Sequence, residues 1–456
     1  MTTATRERTN HRLYPYQEED VEQLIARPRL ILGSVMRAGK MVETFELVKR
    51  LNLSNILVVC PKNMVPEWLY AMDDWSIERS RFDVINYEKL RRSEIISLIQ
   101  KAAYEMLVFD ECHYLKNRNA QQTKGAILIA PFAPRVILAS GTPLQNDPRD
   151  LFPLLHIIDS AAFPSFSAFD NRYCYYEQLP RPPFPRIFVS AKNKVELREL
   201  LGRYMLRREK EELVDWEGRR IVLERMPTHT IPIELDNKQL ENYLTMEDEL
   251  FAILDSGEKV TAPKTIAQIM RLRQICLDPH LLSPSLPLTS STSAKTRMVL
   301  TLADGAGGPL IVYTYFETYA RILKEELDRR GISNASYTGQ TKGDENRHHI
   351  VEEFREGKYK VLIGTIKTMG LGLNLTASHE VVFTDYWWNP AVNDQAASRA
   401  EGTGQVQPLE ISELWAIGTI EDHMRRVLKR KEKMSEEIVL NETINSMRKA
   451  REGKNG

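Results

Sequence analysis

Two short segments of this 456-residue chain carry residue types that handle phosphate and a divalent cation. In the first, at 33–41, an apolar run leads into Gly39-Lys40 and then into a helix-like stretch. A strand, a tight turn and a helix in this order present backbone N–H groups to a phosphate, and the Lys reaches the β- and γ-phosphates. Gly-Lys alone is weak evidence, because many exposed loops contain it.

The second segment is VFDECH at 108–113, where Asp110 and Glu111 end a strongly apolar run. Adjacent carboxylates at the end of a buried strand are costly unless they have a task. In a nucleotide-hydrolysing site the first carboxylate holds Mg²⁺ through water, and the second orients and deprotonates the attacking water. Helix capping by Asp110 is the structural alternative, which the strand and the Lys40 loop disfavour. The two segments together predict a site for ATP and Mg²⁺.

Short apolar runs must position these residues. The first series of runs lies at 29–34, 55–61, 106–111 and 135–140. Helix-like stretches such as 41–51 and 93–105 separate them, and this alternation predicts a parallel sheet covered on both faces. A second series follows at 309–314, 360–365, 380–385 and 409–415.

Between the two series the chain is punctuated by Pro and rich in helix-like sequence, including 237–254. We therefore predict an α/β fold with two parallel-sheet halves, divided into segments 1–205, 206–294 and 295–456. A further amphipathic stretch at 419–439 predicts a helix docked on the second half.

Composition excludes little. Lys plus Arg and Asp plus Glu number 62 each, and a neutral total neither requires nor excludes nucleic acid. The four cysteines lie far apart without a CxxC pair, which favours buried free thiols over disulfides or a zinc site. No stretch approaches the ~18 apolar residues of a membrane span, so we expect a cytoplasmic protein.

Several longer strings carry a family resemblance. SGTPLQN at 140–146 is more specific than the turn that its Ser, Gly and Pro would form on their own. With VVCPKNMVPEWLYAMDDW at 58–75 and FDECHYLKN at 109–117, it resembles the first lobe of the Swi/Snf-type ATPases of helicase superfamily two. LRQICLDPHLL at 272–282 and the segment 364–405 are similar to the second half of that family. At least seven segments match in order, from about residue 13 to about residue 430.

The resemblance implies two RecA-like lobes with helical protrusions between them. It implies an ATP-dependent translocase or remodeller of double-stranded DNA that hydrolyses ATP in the cleft between the lobes. The expected partner is double-stranded or forked DNA, and the expected form is a monomeric motor without a membrane, encoded by a prokaryote or a virus.

The resemblance also implies site residues. Catalytic roles fall to Lys40, Asp110, Glu111 and Arg399, with Mg²⁺ held through water by Asp110. Nucleotide contacts fall to Gln17, Arg37, Ala38, Gly39, Lys40, Met41, Gly370 and Gln395. A Gln amide both donates and accepts hydrogen bonds, which suits an adenine edge. Gly370, Gly372 and Asn374 would form a loop that links the nucleotide to DNA.

DNA contacts are implied for Lys62, Lys367, Thr368 and Trp388. Phosphate contacts give affinity without sequence information, which suits a motor that steps over any sequence. For Trp387 a place in the core is as reasonable as a contact with DNA.

Three positions depart from the family pattern. Arg37 replaces a Gly of the phosphate loop, Met41 replaces the hydroxyl that ligates Mg²⁺, and Gly402 replaces the second arginine of R-x-H-R-x-G-Q. Such an arginine is worth ~10³–10⁵ in rate where it is supplied. Arg399 alone, or Arg37, would have to serve instead. The alternative function is therefore a nucleotide-gated DNA clamp with impaired hydrolysis, whereas an RNA helicase is disfavoured.

Overall fold

The computed structural model describes residues 12–141, 148–178, 186–255, 262–286, 288, 291–341, 343–370, 373–387, 390–422 and 424–425. These residues form two compact units, divided between Ile221 and Val222. Each unit contains one six-stranded sheet whose strand pairs are all parallel.

The sheet of the first unit follows the order β3-β2-β4-β5-β1-β8. Its strands are β1 (Arg29–Leu32), β2 (Ile56–Cys60), β3 (Phe82–Asn86), β4 (Met106–Asp110), β5 (Arg135–Ala139) and β8 (Met205–Leu206). Every residue of β2 is buried, as expected of a central strand covered by helices on both faces. The carboxyl ends of β1, β4 and β5 lie at one edge of this sheet, because these strands are parallel neighbours.

Eight helices are described in this unit. They are α1 (Pro15–Ala26), α2 (Lys40–Leu51), α3 (Val65–Asp74), α4 (Ser93–Lys101), α5 (Gln121–Ile129), α6 (Phe152–Ile158), α7 (Phe166–Tyr173) and α8 (Lys194–Tyr204). A separate antiparallel pair is formed by β6 (Cys174–Gln178) and β7 (Arg186–Ala191).

The sheet of the second unit follows the order β11-β12-β10-β13-β14-β9. Its strands are β9 (His229–Ile233), β10 (Leu310–Thr314), β11 (Asn334–Tyr337), β12 (Val361–Thr365), β13 (Glu380–Phe383) and β14 (Glu410–Ala416). The helices described here are α9 (Asn237–Asp255), α10 (Ala262–Leu277), α11 (Ala294–Gly305), α12 (Glu317–Arg329), α13 (Asp344–Arg355), α14 (Ile366–Met369) and α15 (Pro390–Ala397).

The predicted fold class is confirmed: the chain folds as two parallel α/β sheets with flanking helices, each the architecture of a RecA-like lobe. All eight predicted strands are present. The predicted segment boundary at 205/206 lies inside the first unit, since β8 pairs with β1 and Arg208 pairs with Asp20. The helices α9 and α10 belong to the second unit. The three-segment division of the chain stays a prediction.

All four cysteines are free and buried, as the sequence predicts. Burial raises the pKa of the thiols of Cys60, Cys112 and Cys276. Among the described residues no helix is long and apolar enough to cross a membrane. Of the predicted helix at 419–439, residues 426–439 lie outside the described residues.

Candidate nucleotide site

The phosphate loop at 33–41 connects β1 to α2, whose first residue is Lys40. Arg37 and Gly39 both adopt left-handed backbone, with φ of 71° and 85°. The Lys40 ammonium donates to the carbonyls of Ser34 at 2.8 Å and Val35 at 3.0 Å. The loop therefore curls around the Lys40 side chain at the N-terminal end of a 12-residue helix, where N–H groups and the helix dipole favour an anion.

Gln17 is buried beside this loop, not exposed on the surface. Its Nε2 donates to the Ala38 carbonyl at 3.0 Å, and its Oε1 accepts from the Tyr14 backbone N–H at 2.9 Å. A Cβ at Gly39 would lie 2.2 Å from Gln17 Nε2. Position 39 must therefore be glycine both for its φ and for the space that Gln17 occupies. Gln17, Ala38 and Gly39, predicted as one nucleotide-binding group, do lie together.

Asp110 and Glu111 stand at the carboxyl end of β4, as the sequence predicts. Asp110 Oδ2 accepts from the Trp68 indole N–H at 2.9 Å. Burial and then the neighbouring Glu111 carboxylate raise the pKa of Asp110 to about 6, and the charge of Lys40 opposes this rise. Lys40 and Asp110 thus interact in one site, although 70 residues separate them. Glu111 has a φ of 51°, a strained backbone of the kind that persists at functional positions.

His113 completes this carboxylate cluster, and the sequence analysis assigned it no role. Its Nδ1 lies 3.1 Å from Ser140 Oγ and 3.3 Å from Glu111 Oε2. Ser140, the first residue after β5, also donates to Glu111 Oε2 at 3.4 Å. A Cβ at Gly141 would lie 2.8 Å from Met36 Cγ, so the end of β5 contacts the phosphate loop. The remaining residues of the SGTPLQN motif, 142–146, lie outside the described residues.

A second carboxylate beside Lys40 also escaped the sequence analysis. Glu43 is fully buried one turn along α2, and neither of its carboxylate oxygens has a hydrogen-bond partner. Burial and the nearby Asp20 carboxylate raise the pKa of Glu43, and the charges of Lys40 and Arg208 oppose the rise. No spacing rule marks this position, because its neighbours Asp20 and Arg208 come from distant parts of the chain.

In the second unit, Arg399 and Gly370 are brought together. Arg399 Nε donates to the Gly370 carbonyl at 2.9 Å, and the Arg399 carbonyl accepts from the Leu375 N–H at 2.9 Å. Gln395 is buried on the adjacent α15. A Cβ at Gly370 would lie 3.4 Å from that of Ala396, so α15 packs tightly on this position. Gly370, Gln395 and Arg399 therefore form one cluster, while Gly372 lies outside the described residues.

The predicted DNA contacts are described in part. Lys62 is exposed just before α3, and Lys367 is exposed on α14 next to the half-buried Thr368. Trp387 stacks on Tyr315 with ring centroids 4.8 Å apart, which favours a packing role for it. Trp388 lies outside the described residues.

The donor set fits a magnesium ion. Mg²⁺ in nucleotide enzymes is commonly held by one or two carboxylates together with substrate phosphates and water. Asp110, beside Lys40 and next to Glu111, offers such a carboxylate. Met41 has no oxygen, so a water would take the place of a hydroxyl ligand.

The sequence matches the models of two known protein families. The model of the SNF2-related domain matches residues 80–281, and that of the helicase conserved C-terminal domain matches residues 294–401. The SWI/SNF-related matrix-associated actin-dependent regulator of chromatin subfamily A-like protein 1 of Xenopus tropicalis is 25% identical over 448 residues, covering 94% of this chain and 45% of that protein. The putative ATP-dependent helicase/translocase YwqA of Bacillus subtilis is 24% identical, covering 75% of this chain and 36% of that protein.

This chain therefore spans less than half the length of both relatives. Among solved structures, the Sulfolobus solfataricus SWI2/SNF2 ATPase core in complex with dsDNA is 21% identical, with a TM-score of 0.41. The match covers 95% of this chain and 94% of that one.

Proposed function

This chain is a Swi/Snf-type protein of helicase superfamily two, and from that premise we propose that it is an ATPase whose hydrolysis is stimulated by double-stranded DNA. The observation that carries the proposal is that Asp110 and Glu111 end β4 at the same carboxyl edge of the first sheet at which β1 leads into the Lys40 loop. A phosphate-binding lysine and a carboxylate pair in one place supply what phosphoryl transfer to water requires.

Within this site Lys40 would exchange the carbonyls of Ser34 and Val35 for the β- and γ-phosphates of ATP. Bound Mg²⁺ would neutralise charge on those phosphates, and Asp110 would hold it through water. Glu111 would accept a proton from the water that attacks the γ-phosphorus, while the bond to the ADP oxygen breaks. The Ser140 hydroxyl and His113, both within hydrogen-bond reach of Glu111, would orient that carboxylate.

In the second unit, Arg399 would stabilise charge on the transferring phosphoryl group. Lys62, Lys367, Thr368 and Trp388 would contact DNA phosphates and the duplex surface. Because such contacts carry no sequence information, the motor would accept any duplex and move along it as ATP turns over.

Turnover of ATP with no nucleic acid, single-stranded DNA, duplex DNA, forked DNA and duplex RNA tests the proposal. Duplex or forked DNA should stimulate hydrolysis, and Lys40→Ala should abolish it. Lys49→Ala, an exposed change on the same helix α2, is the matched control and should retain full turnover.

Two results would count against an ATPase. Turnover at background with every DNA, unchanged in Lys40→Ala, would remove the proposal altogether. Tight DNA binding that depends on ATP, with hydrolysis no faster than that of Lys40→Ala, would instead support the clamp.

A further inference from the structure

Arg225 lies in the second unit, outside every segment that the family resemblance assigns to the site. Its guanidinium nevertheless faces the segment that contains Arg399. Nε donates to Glu401 Oε1 at 2.5 Å, and Nη2 donates to Glu401 Oε2 at 3.1 Å. Nη2 also donates to Ser398 Oγ at 3.0 Å, and Nη1 pairs with Asp394.

These three partners surround Arg399 in the chain. Ser398 directly precedes Arg399, Glu401 follows it by two residues, and Asp394 lies five residues before it. A single side chain from outside the segment therefore fixes it on both sides of Arg399. A bidentate Arg–carboxylate pair is geometrically specific, so the contact fixes orientation as well as distance.

Glu401 has its carboxylate in the protein interior, with the side chain 1% exposed. A buried carboxylate is tolerated when it is paired and hydrogen-bonded. The Arg225 guanidinium pairs with it, and although burial lowers the pKa of Arg225, the charges of Asp394 and Glu401 raise it. This pair is thus a fixed part of the fold. An exposed ion pair, by contrast, contributes little to the stability of the folded protein.

Arg399 is held from its other side as well. Its Nε donates to the Gly370 carbonyl, and its own carbonyl accepts from the Leu375 N–H. The turn that follows contains Gly402 with a φ of 112°, where the family pattern has its second arginine. Arg399 therefore remains as the arginine of this motif, and its placement depends on contacts made by other residues.

We propose that Arg225 is a positioning residue that holds Arg399 in its working orientation through Glu401, Ser398 and Asp394. Arg225 itself does not contact phosphate in this proposal, because Nε, Nη1 and Nη2 all donate to protein acceptors. The inference that this orientation serves hydrolysis rests on the proposed ATPase function.

Hydrogen exchange and kinetics on the full chain test the two parts separately. Arg225→Ala should speed hydrogen exchange of the segment 373–376, whose buried Leu375 donates its amide N–H to the Arg399 carbonyl, by about tenfold or more. It should lower kcat for ATP by about 10–100-fold and change KM by less than about threefold, as expected when a catalytic group is misplaced by ~1 Å. On an Arg399→Ala background, Arg225→Ala should lower kcat little further.

Two variants distinguish a loss of positioning from a general loss of folding. Arg225→Gln with Glu401→Gln removes both charges, so that no buried charge is left without a partner, and it should fold while giving the same exchange and kcat changes. Arg225→Lys should restore part of kcat because it keeps the charge. Arg330→Ala, which removes the exposed pair with Asp304, is the control and should leave exchange and kcat unchanged.

Unchanged hydrogen exchange at 373–376 in Arg225→Ala and in the double variant Arg225→Gln with Glu401→Gln would overturn the positioning role, whatever the ATPase activity. An equal fall in kcat with and without Arg399 would overturn it too. Faster exchange in a protein that hydrolyses no ATP would retain the positioning role while the proposed ATPase function fails.

Discussion

The phosphate loop at 33–41 and the turn at 398–405 both depart from the pattern of their family, but they do so in opposite ways. In the loop, Arg37 adopts a left-handed φ of 71°, a region that a Gly adopts without strain, so a Gly at this position fits the same backbone. In the turn, Gly402 has a φ of 112°, which an arginine rarely adopts. An arginine at this position would therefore strain the backbone.

The loop and the turn also differ in how a buried glutamate beside each of them is bonded. Glu43, beside the phosphate loop, has no hydrogen-bond partner for either oxygen. Glu401, beside the turn, is held by Arg225 in a bidentate pair. The comparison teaches that the loop backbone suits a Gly at position 37, whereas the turn depends on Arg225, a partner from elsewhere in the chain.

The largest effect is expected at Glu111. If the first unit keeps a working site despite Arg37 and Met41, Glu111→Gln should lower kcat by about 10²–10⁴ because it removes the general base. Binding of ATP should persist, since Lys40 and the loop are untouched. Single-turnover hydrolysis together with nucleotide-binding titrations measures both. A decrease below about threefold in kcat would show that Glu111 is not the base.

Glu43 should make stability depend on pH. Its pKa is raised by burial and by Asp20, so in the folded state it stays protonated at pH values where the unfolded chain ionises. The unfolding free energy should therefore fall as pH rises above the unfolded value of about 4.3, with a limiting slope of about 1.4 kcal/mol per pH unit.

The variant Glu43→Gln should lack this contribution to the slope, and its stability relative to the wild type should increase as the pH rises above about 4.3. Denaturant unfolding at several pH values measures the difference. Glu401→Gln is the contrasting variant: it removes the buried carboxylate that pairs with Arg225 and leaves the more exposed Asp394 as its carboxylate partner, so it should be less stable than the wild type. Parallel pH profiles of the wild type and Glu43→Gln would contradict the assignment.

At the turn, restoring the family residue should destabilise the protein. Gly402→Arg places a side chain at a φ of 112° and should lower the unfolding free energy by about 1–3 kcal/mol. It should not raise ATP turnover, because the strained backbone would disturb the neighbouring Glu401 contact. Thermal unfolding and kcat measure the two effects. A stable Gly402→Arg variant with faster hydrolysis would show that the turn accommodates the missing arginine.

The smallest effect is expected in the loop. Arg37→Gly removes a left-handed non-glycine residue, which costs about 1–2 kcal/mol, but it adds the chain entropy of glycine, about 0.5–1 kcal/mol. The net change in unfolding free energy should lie within about 1 kcal/mol, because Arg37→Gly also removes the interactions of the Arg37 side chain, and denaturant titration measures it. A loss of stability would mean that the Arg37 side chain makes contacts worth more than the strain.

Much of the fold was predictable because its central strands are continuous apolar runs between turn signals. Three of the strands that the sequence analysis missed lack that signal. NASY of β11 is polar, FDVIN of β3 is only partly buried, and HTIPI of β9 contains a proline, which restricts strands to edges.

In the site, the meeting of Lys40 and Asp110 was predictable because both follow parallel strands of one sheet. Arg225 was not, since its partners lie 169–176 residues away and no local pattern marks a long-range ion pair. Glu43 looked like an ordinary helix residue, and only its burial distinguishes it. The DNA contacts at Lys62, Lys367, Thr368 and Trp388 stay predictions.

The burial of all four thiols has a practical consequence. Reagents such as maleimides attack the thiolate, and the thiols of Cys60, Cys112 and Cys276 are both enclosed and reluctant to ionise. A cysteine introduced on the surface would therefore react far faster than any native one. A fluorophore can thus be attached beside the phosphate loop or beside α15 in an otherwise unaltered chain, and its emission would test the nucleotide and DNA binding proposed for this chain.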